Sequence, residues 1–154
     1  MIGKSLLKGL LTLAVLLLTV GVNAQTLTVT SPEPTSTIAR QTDSGVIFYQ
    51  TWKKLIETSS RVDIFYRVIK CGDAPTQVHI MIYNESAKDQ ALKFDLELSM
   101  PNGDKMTREI SFNTQRSRNY VPECGSGGTG SALKFDLPQK FYPYLVKAAI
   151  TMKP

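Results

Sequence analysis

The chain is poor in the residues from which enzymes and metal sites are built. Its 154 residues hold one histidine, His79, one tryptophan, Trp52, and two cysteines, Cys71 and Cys124. A histidine base needs a nucleophile or an acid at hand. No G-x-S-x-G elbow, H-E-x-x-H helix or S-x-x-K motif supplies one. One imidazole and two widely separated thiols do not make a zinc quartet. Calcium takes several Asp or Asn packed into one loop, and Asn84–Asp89 is too sparse and holds a lysine. The Gly-rich run 125–130 precedes an alternating strand pattern and has no P-loop lysine, so it reads as a flexible connector, not a phosphate cradle. No enzyme activity, metal or cofactor is expected.

Charge of one sign is also scarce. The formal net charge is +5, and setting aside Lys4 and Lys8 leaves +3, too weak a basic excess for nucleic acid. Past residue 24 no apolar run approaches the 18 or so residues of a membrane span.

The first 24 residues show the three-part pattern of a secretory signal peptide. Lys4 and Lys8 form a basic start, Leu10 to Val20 an apolar run, and Val22-Asn23-Ala24 a cleavage site before Gln25. Export to a bacterial periplasm, cell surface or exterior is expected. About 130 residues remain, enough for one domain. In an oxidising compartment two cysteines have one intramolecular pairing, Cys71 with Cys124. Closing a loop of about 54 residues stabilises by roughly 4 kcal/mol in the chain-entropy model.

Strand signals then follow one another. Thr26–Thr30 alternates and reads as a short edge strand, able to pair within the chain or with a partner. Residues 31–37 are a Pro/Ser/Thr-rich linker. Gly45–Trp52 and Arg61–Lys70 are strong apolar runs, and Lys53–Thr58 between them could form one helical turn. On Arg61–Lys70, Phe65 and Ile69 interrupt the alternation, which marks a central strand covered on both faces. Gln77–Tyr83 places Val78, Ile80 and Ile82 on one face and His79 on the other, half-exposed. Leu92 to Met100 holds period two for nine residues, and Pro101-Asn102-Gly103 turns it back into Met106–Phe112. Ser131–Leu137 and Leu145–Met152 complete the series.

Seven such strands, or eight with 26–30, predict an all-β fold: one immunoglobulin-like antiparallel β-sandwich, with a small β-barrel as the alternative. The domains read as leader 1–24, edge strand and linker 25–44, and sandwich 45–154. The likeness to immunoglobulin domains is one of architecture. The tyrosine-corner position two before the second cysteine is Pro122, and Trp52 precedes both cysteines.

Two loops carry candidate binding residues. Asn113–Pro122 gathers Arg116, Arg118, Asn119 and Tyr120, residue types that combine contact area with directed hydrogen bonds. Phe141-Tyr142-Pro143-Tyr144 offers Tyr142 and Tyr144. Asp95 with Glu97, and Asp63 with Arg67, read as solvated stripes, and Asn84-Glu85-Ser86 matches an N-glycosylation sequon. The expected function is a non-catalytic exported interaction module for adhesion, envelope assembly or glycan or protein binding. Its partner would be a protein or glycan in the envelope or outside the cell. A secreted inhibitor or effector, or a small-ligand carrier if the sheet closes, are the alternatives.

Overall fold

A computed structural model describes residues 28–30, 40–42, 45–125, 127–128 and 130–154. The expected leader and linker lie outside the described residues. Ten strands are present among those described: β1 Thr28–Thr30, β2 Arg40–Gln41, β3 Val46–Glu57, β4 Val62–Cys71, β5 Thr76–Asn84, β6 Gln90–Ser99, β7 Lys105–Thr114, β8 Arg118–Tyr120, β9 Lys134–Asp136 and β10 Lys147–Met152. They form two antiparallel sheets. The smaller has the order β1-β10-β6-β7, and the larger runs as a meander β2-β3-β4-β5. Beyond β5, one edge is shared by two short strands. β8 pairs with Ile82–Asn84 and β9 with Gln77–His79. Residues 121–133 therefore interrupt a single broken edge strand. The sheets do not close, so this is the sandwich and not the barrel.

Period two accounts for the core. Leu92, Phe94, Leu96 and Leu98 of β6 face Val62, Ile64, Tyr66 and Val68 of β4 and Val78, Ile80 and Ile82 of β5 within one buried cluster. Ile69, on the opposite face of β4, is buried as well, as expected of a central strand. The β6–β7 hairpin forms where the turn residues place it. Met100 N donates to Asp104 O at 2.9 Å, and Gly103 takes a φ of +92°.

β3 corrects one expectation. Lys53–Glu57 is not a helical turn, because the strand continues to Glu57 and Ile56 pairs with Ile64. Three register shifts against β4 let Leu55 and Ile56 both point inward. Such bulges hide a strand from any test of strict alternation. Residues 28–30 pair with β10 of the same chain.

Cys71 and Cys124 lie at disulfide distance, their Cα atoms 5.5 Å apart. Cys71 has the parity of Arg67 and Ile69 on β4, so this cystine fastens the chain at Cys124 to the outer face of the larger sheet.

Candidate functional site

β5 sets the distance between the two candidate loops. Its first residue, Thr76, accepts a hydrogen bond from Leu137 N, at the start of the loop carrying Tyr142 and Tyr144. Its last, Asn84, pairs with Arg118. Nine strand residues span roughly 27 Å, so the candidates occupy opposite ends of the sandwich and do not form one site.

At the Asn84 end, much of the predicted recognition chemistry serves the fold. Asn84 is fully buried, and its amide donates to Thr114 Oγ1 at 2.8 Å and to Lys88 O and Gln115 O at 3.0 Å. The sequon asparagine is therefore a hub joining two loops, with no free amide in the folded chain. Tyr120 packs edge-on against Phe112, ring centroids 4.9 Å apart, and its hydroxyl accepts from Gln115 N at 2.9 Å. Arg116 N donates to Asp89 Oδ1 at 2.8 Å. The Arg116, Arg118 and Asn119 side chains are exposed, and the two arginines line a shallow polar depression with Asp89 and Gln115.

The Thr76 end is built differently. Leu137, Phe141 and Val146 are buried anchors of the loop between β9 and β10. Phe141 N donates to Pro138 O, and Leu145 N to Tyr142 O, both at 2.9 Å, so the loop is two tight turns. Between the anchors the chain is pushed outward, leaving Tyr142 65%, Tyr144 39% and Leu145 46% exposed. The loop is held from beneath by Gln50, a buried polar residue that the apolar run of β3 conceals in the sequence. Gln50 Nε2 donates to Pro143 O at 2.7 Å and Val146 O at 3.0 Å, and Tyr66 OH donates to Gln50 Oε1 at 3.2 Å. Lys140 reaches Asp104 in the β6–β7 turn at 3.0 Å.

Beside this loop lies a groove of about 420 Å³ lined by Tyr49, Lys70, Asp73, Pro75, Gln139 and Pro143, among others. Tyr49 stands edge-on to Tyr144, centroids 5.1 Å apart. The Lys70, Asp73 and Gln139 side chains have no hydrogen-bond or ion-pair partner among the described residues.

The outer face of the larger sheet holds a third cluster, which the sequence did not reveal. Arg67, His79 and Lys134 are consecutive cross-strand neighbours on β4, β5 and β9. His79 is not half-exposed: it is fully buried, with the Pro122 carbonyl against its ring. Arg67 is likewise no part of a solvated stripe. Its guanidinium stacks over Trp52 and Phe48 and donates to Pro122 O at 3.4 Å. Lys134 Nζ donates to Glu123 O at 2.9 Å and to Gly125 O. The supposed Gly-rich connector is thus, at Gly125, part of a cover held down by Lys134. Gly130 closes it, since a Cβ there would lie 2.9 Å from Pro122 Cα.

Arginine can only donate, so His79 Nδ1 accepts from Arg67 Nη2 (3.4 Å), and the ring proton sits on Nε2, which donates to Gln77 Oε1 at 3.2 Å. Gln77 in turn donates to Asp136 Oδ1 at 3.1 Å. Burial, reinforced by the Arg67 and Lys134 charges and opposed by the Pro122 carbonyl, lowers the His79 pKa to about 4. The ring is neutral near pH 7 with both nitrogens occupied.

Several other carboxylates are paired at the surface. Asp95 meets Lys153 at 2.8 Å, Glu97 meets Lys105 at 2.9 Å, and Asp63 meets Lys54 at 2.9 Å. Among the described residues, no group of three or more His, Cys, Asp or Glu could hold a metal ion, and no helix is long and apolar enough to cross a membrane.

Comparison with known proteins returns no matching family model, no matching curated protein and no matching solved structure.

Proposed function

We propose that this chain is an exported, non-catalytic interaction module that recognises its partner through the loops at the Thr76 end of the sandwich. One observation carries the reading. Of the five large apolar side chains exposed among the described residues, three (Tyr142, Tyr144 and Leu145) fall within four consecutive positions beside a groove. An exposed aromatic cluster on a loop fixed by a rigid scaffold is the usual form of a binding surface. Gln50, Phe141 and Val146 fix this one from below, which limits the ordering cost of binding. Export is supported by the leader pattern and by the Cys71–Cys124 pair.

The opposite ends of the molecule provide the test. The mature chain, a Tyr142→Ala/Tyr144→Ala variant and an Arg116→Ala/Arg118→Ala variant are immobilised and exposed to envelope and culture-medium fractions of the host. A partner retained by the mature chain and the arginine variant, but lost from the tyrosine variant, supports the reading. Loss from the arginine variant alone would transfer recognition to the Asn84 end.

A further inference from the structure

The Thr76-end groove has the chemistry of a sugar site, and this inference rests on the reading of that end as the recognition surface. We propose that it binds a neutral saccharide, with a pyranose ring against Tyr49 and its hydroxyls facing Asp73, Lys70 and Gln139.

Four features converge. The first is aromatic. Tyr49 lines the groove and is fixed edge-on against Tyr144, with the exposed Tyr142 on the adjoining loop. An aromatic face carries partial negative charge and attracts the polarised C–H bonds of a sugar ring.

The second is polar. Saccharide hydroxyls each donate and accept, so they are matched by a site offering both functions. Asp73 supplies acceptors, Lys70 donors and Gln139 one of each, and all three side chains are unpartnered among the described residues. Elsewhere the surface charges are largely consumed in pairs such as Lys153–Asp95 and Lys105–Glu97. One carboxylate and one ammonium at the groove also make it electrically balanced, which disfavours a polyanion or a polycation.

The third is size. A volume of about 420 Å³ falls within the range of small-ligand sites, roughly 300–1,000 Å³, and accommodates one or two sugar rings.

The fourth is rigidity. Pro75, Pro138 and Pro143 line the groove, and Gln50 holds the Pro143 carbonyl. A proline-rich peptide is the competing occupant of an aromatic groove. It would seat between parallel aromatic ridges. Here Tyr49 and Tyr144 are perpendicular, at 88°, and prolines already form the wall.

The test uses the mature, oxidised chain displayed multivalently, which raises weak single-site affinity to a detectable level. It is applied to an array of neutral hexose, N-acetylhexosamine and deoxyhexose oligomers, together with a polyproline peptide. The expected result is retention on a subset of the neutral oligomers. In an amide-resolved titration with one such oligomer, residues 72–76 and 139–145 shift. Asp73→Asn and Gln139→Ala each weaken binding about tenfold or more, and Arg116→Ala leaves it unchanged.

Binding of the peptide but no saccharide overturns the sugar assignment and leaves the surface reading standing. So does silence on the whole array when Tyr142→Ala/Tyr144→Ala still abolishes capture from host fractions. Saccharide binding that shifts only residues around Arg116 and Arg118 overturns both.

Discussion

The Arg67 guanidinium carbon lies 4.3 Å from the centre of the Trp52 ring, while Nη2 of the same side chain reaches His79 Nδ1 at 3.4 Å. One half-buried cation is thereby shared between an aromatic face and a neutral imidazole, beside the protein's sole tryptophan. Of the three groups His79 is fully buried, and Arg67 donates a hydrogen bond to the cover segment at Pro122 O.

A pH dependence follows. His79 has a folded pKa of about 4 against about 6.5 in the unfolded chain. Below pH 6.5 the unfolded state takes up the proton first, so folding stability is complete above 6.5 and declines as pH falls toward 4. The total loss from this residue is about 3 kcal/mol. Urea denaturation at pH 7, 6, 5 and 4 should show that decline, and His79→Gln should flatten it. An equal slope in both proteins would mean that His79 is not the titrating group.

Opening the cystine should loosen the cover. A Cys71→Ser/Cys124→Ser variant is expected to lose about 4 kcal/mol and to change Trp52 emission while still folded in dilute denaturant. Unchanged emission would show that the cover holds without its covalent tie.

Gln50→Leu removes the Pro143 carbonyl's donor and leaves the Val146 carbonyl with only the Tyr66 hydroxyl at 3.5 Å. A cost of about 2 kcal/mol is expected, with faster amide exchange concentrated at residues 142–146. Uniform acceleration across the domain would mean that Gln50 supports the core at large and not this loop in particular.

Lys53 is the converse case. Its Nζ is buried without a hydrogen-bond partner, and burial lowers its pKa. Replacing it by methionine removes the unpaired group while keeping the stem, so Lys53→Met should be neutral or stabilising by about 1 kcal/mol. A loss of stability measured by denaturation would reveal that the ammonium is satisfied in solution.

Local chemistry made some elements plain in the sequence. The β6–β7 hairpin was legible because nine residues alternate without a break and Pro101-Asn102-Gly103 leaves the chain little choice but to turn. Tyr142 and Tyr144 could be singled out because prolines flank or separate them and bar a central strand. Long-range contacts were hidden. His79 is buried by residues more than 40 positions away, and nothing in Gln77–Tyr83 foretells that cover. Tyr120 looks like a contact residue on composition alone, yet its ring and hydroxyl are taken by Phe112 and Gln115. Gln50 sits in an apolar run whose strand could be read, but its partners lie 93 and 96 residues further on.

Hydrogen–deuterium exchange of the chain with and without a captured partner decides most directly which end of the sandwich binds. Protection confined to residues 72–76 and 137–146, with residues 113–120 unchanged, is the result expected here. Protection centred on Arg116 and Arg118, with the Tyr142 loop exchanging as freely as before, would contradict it.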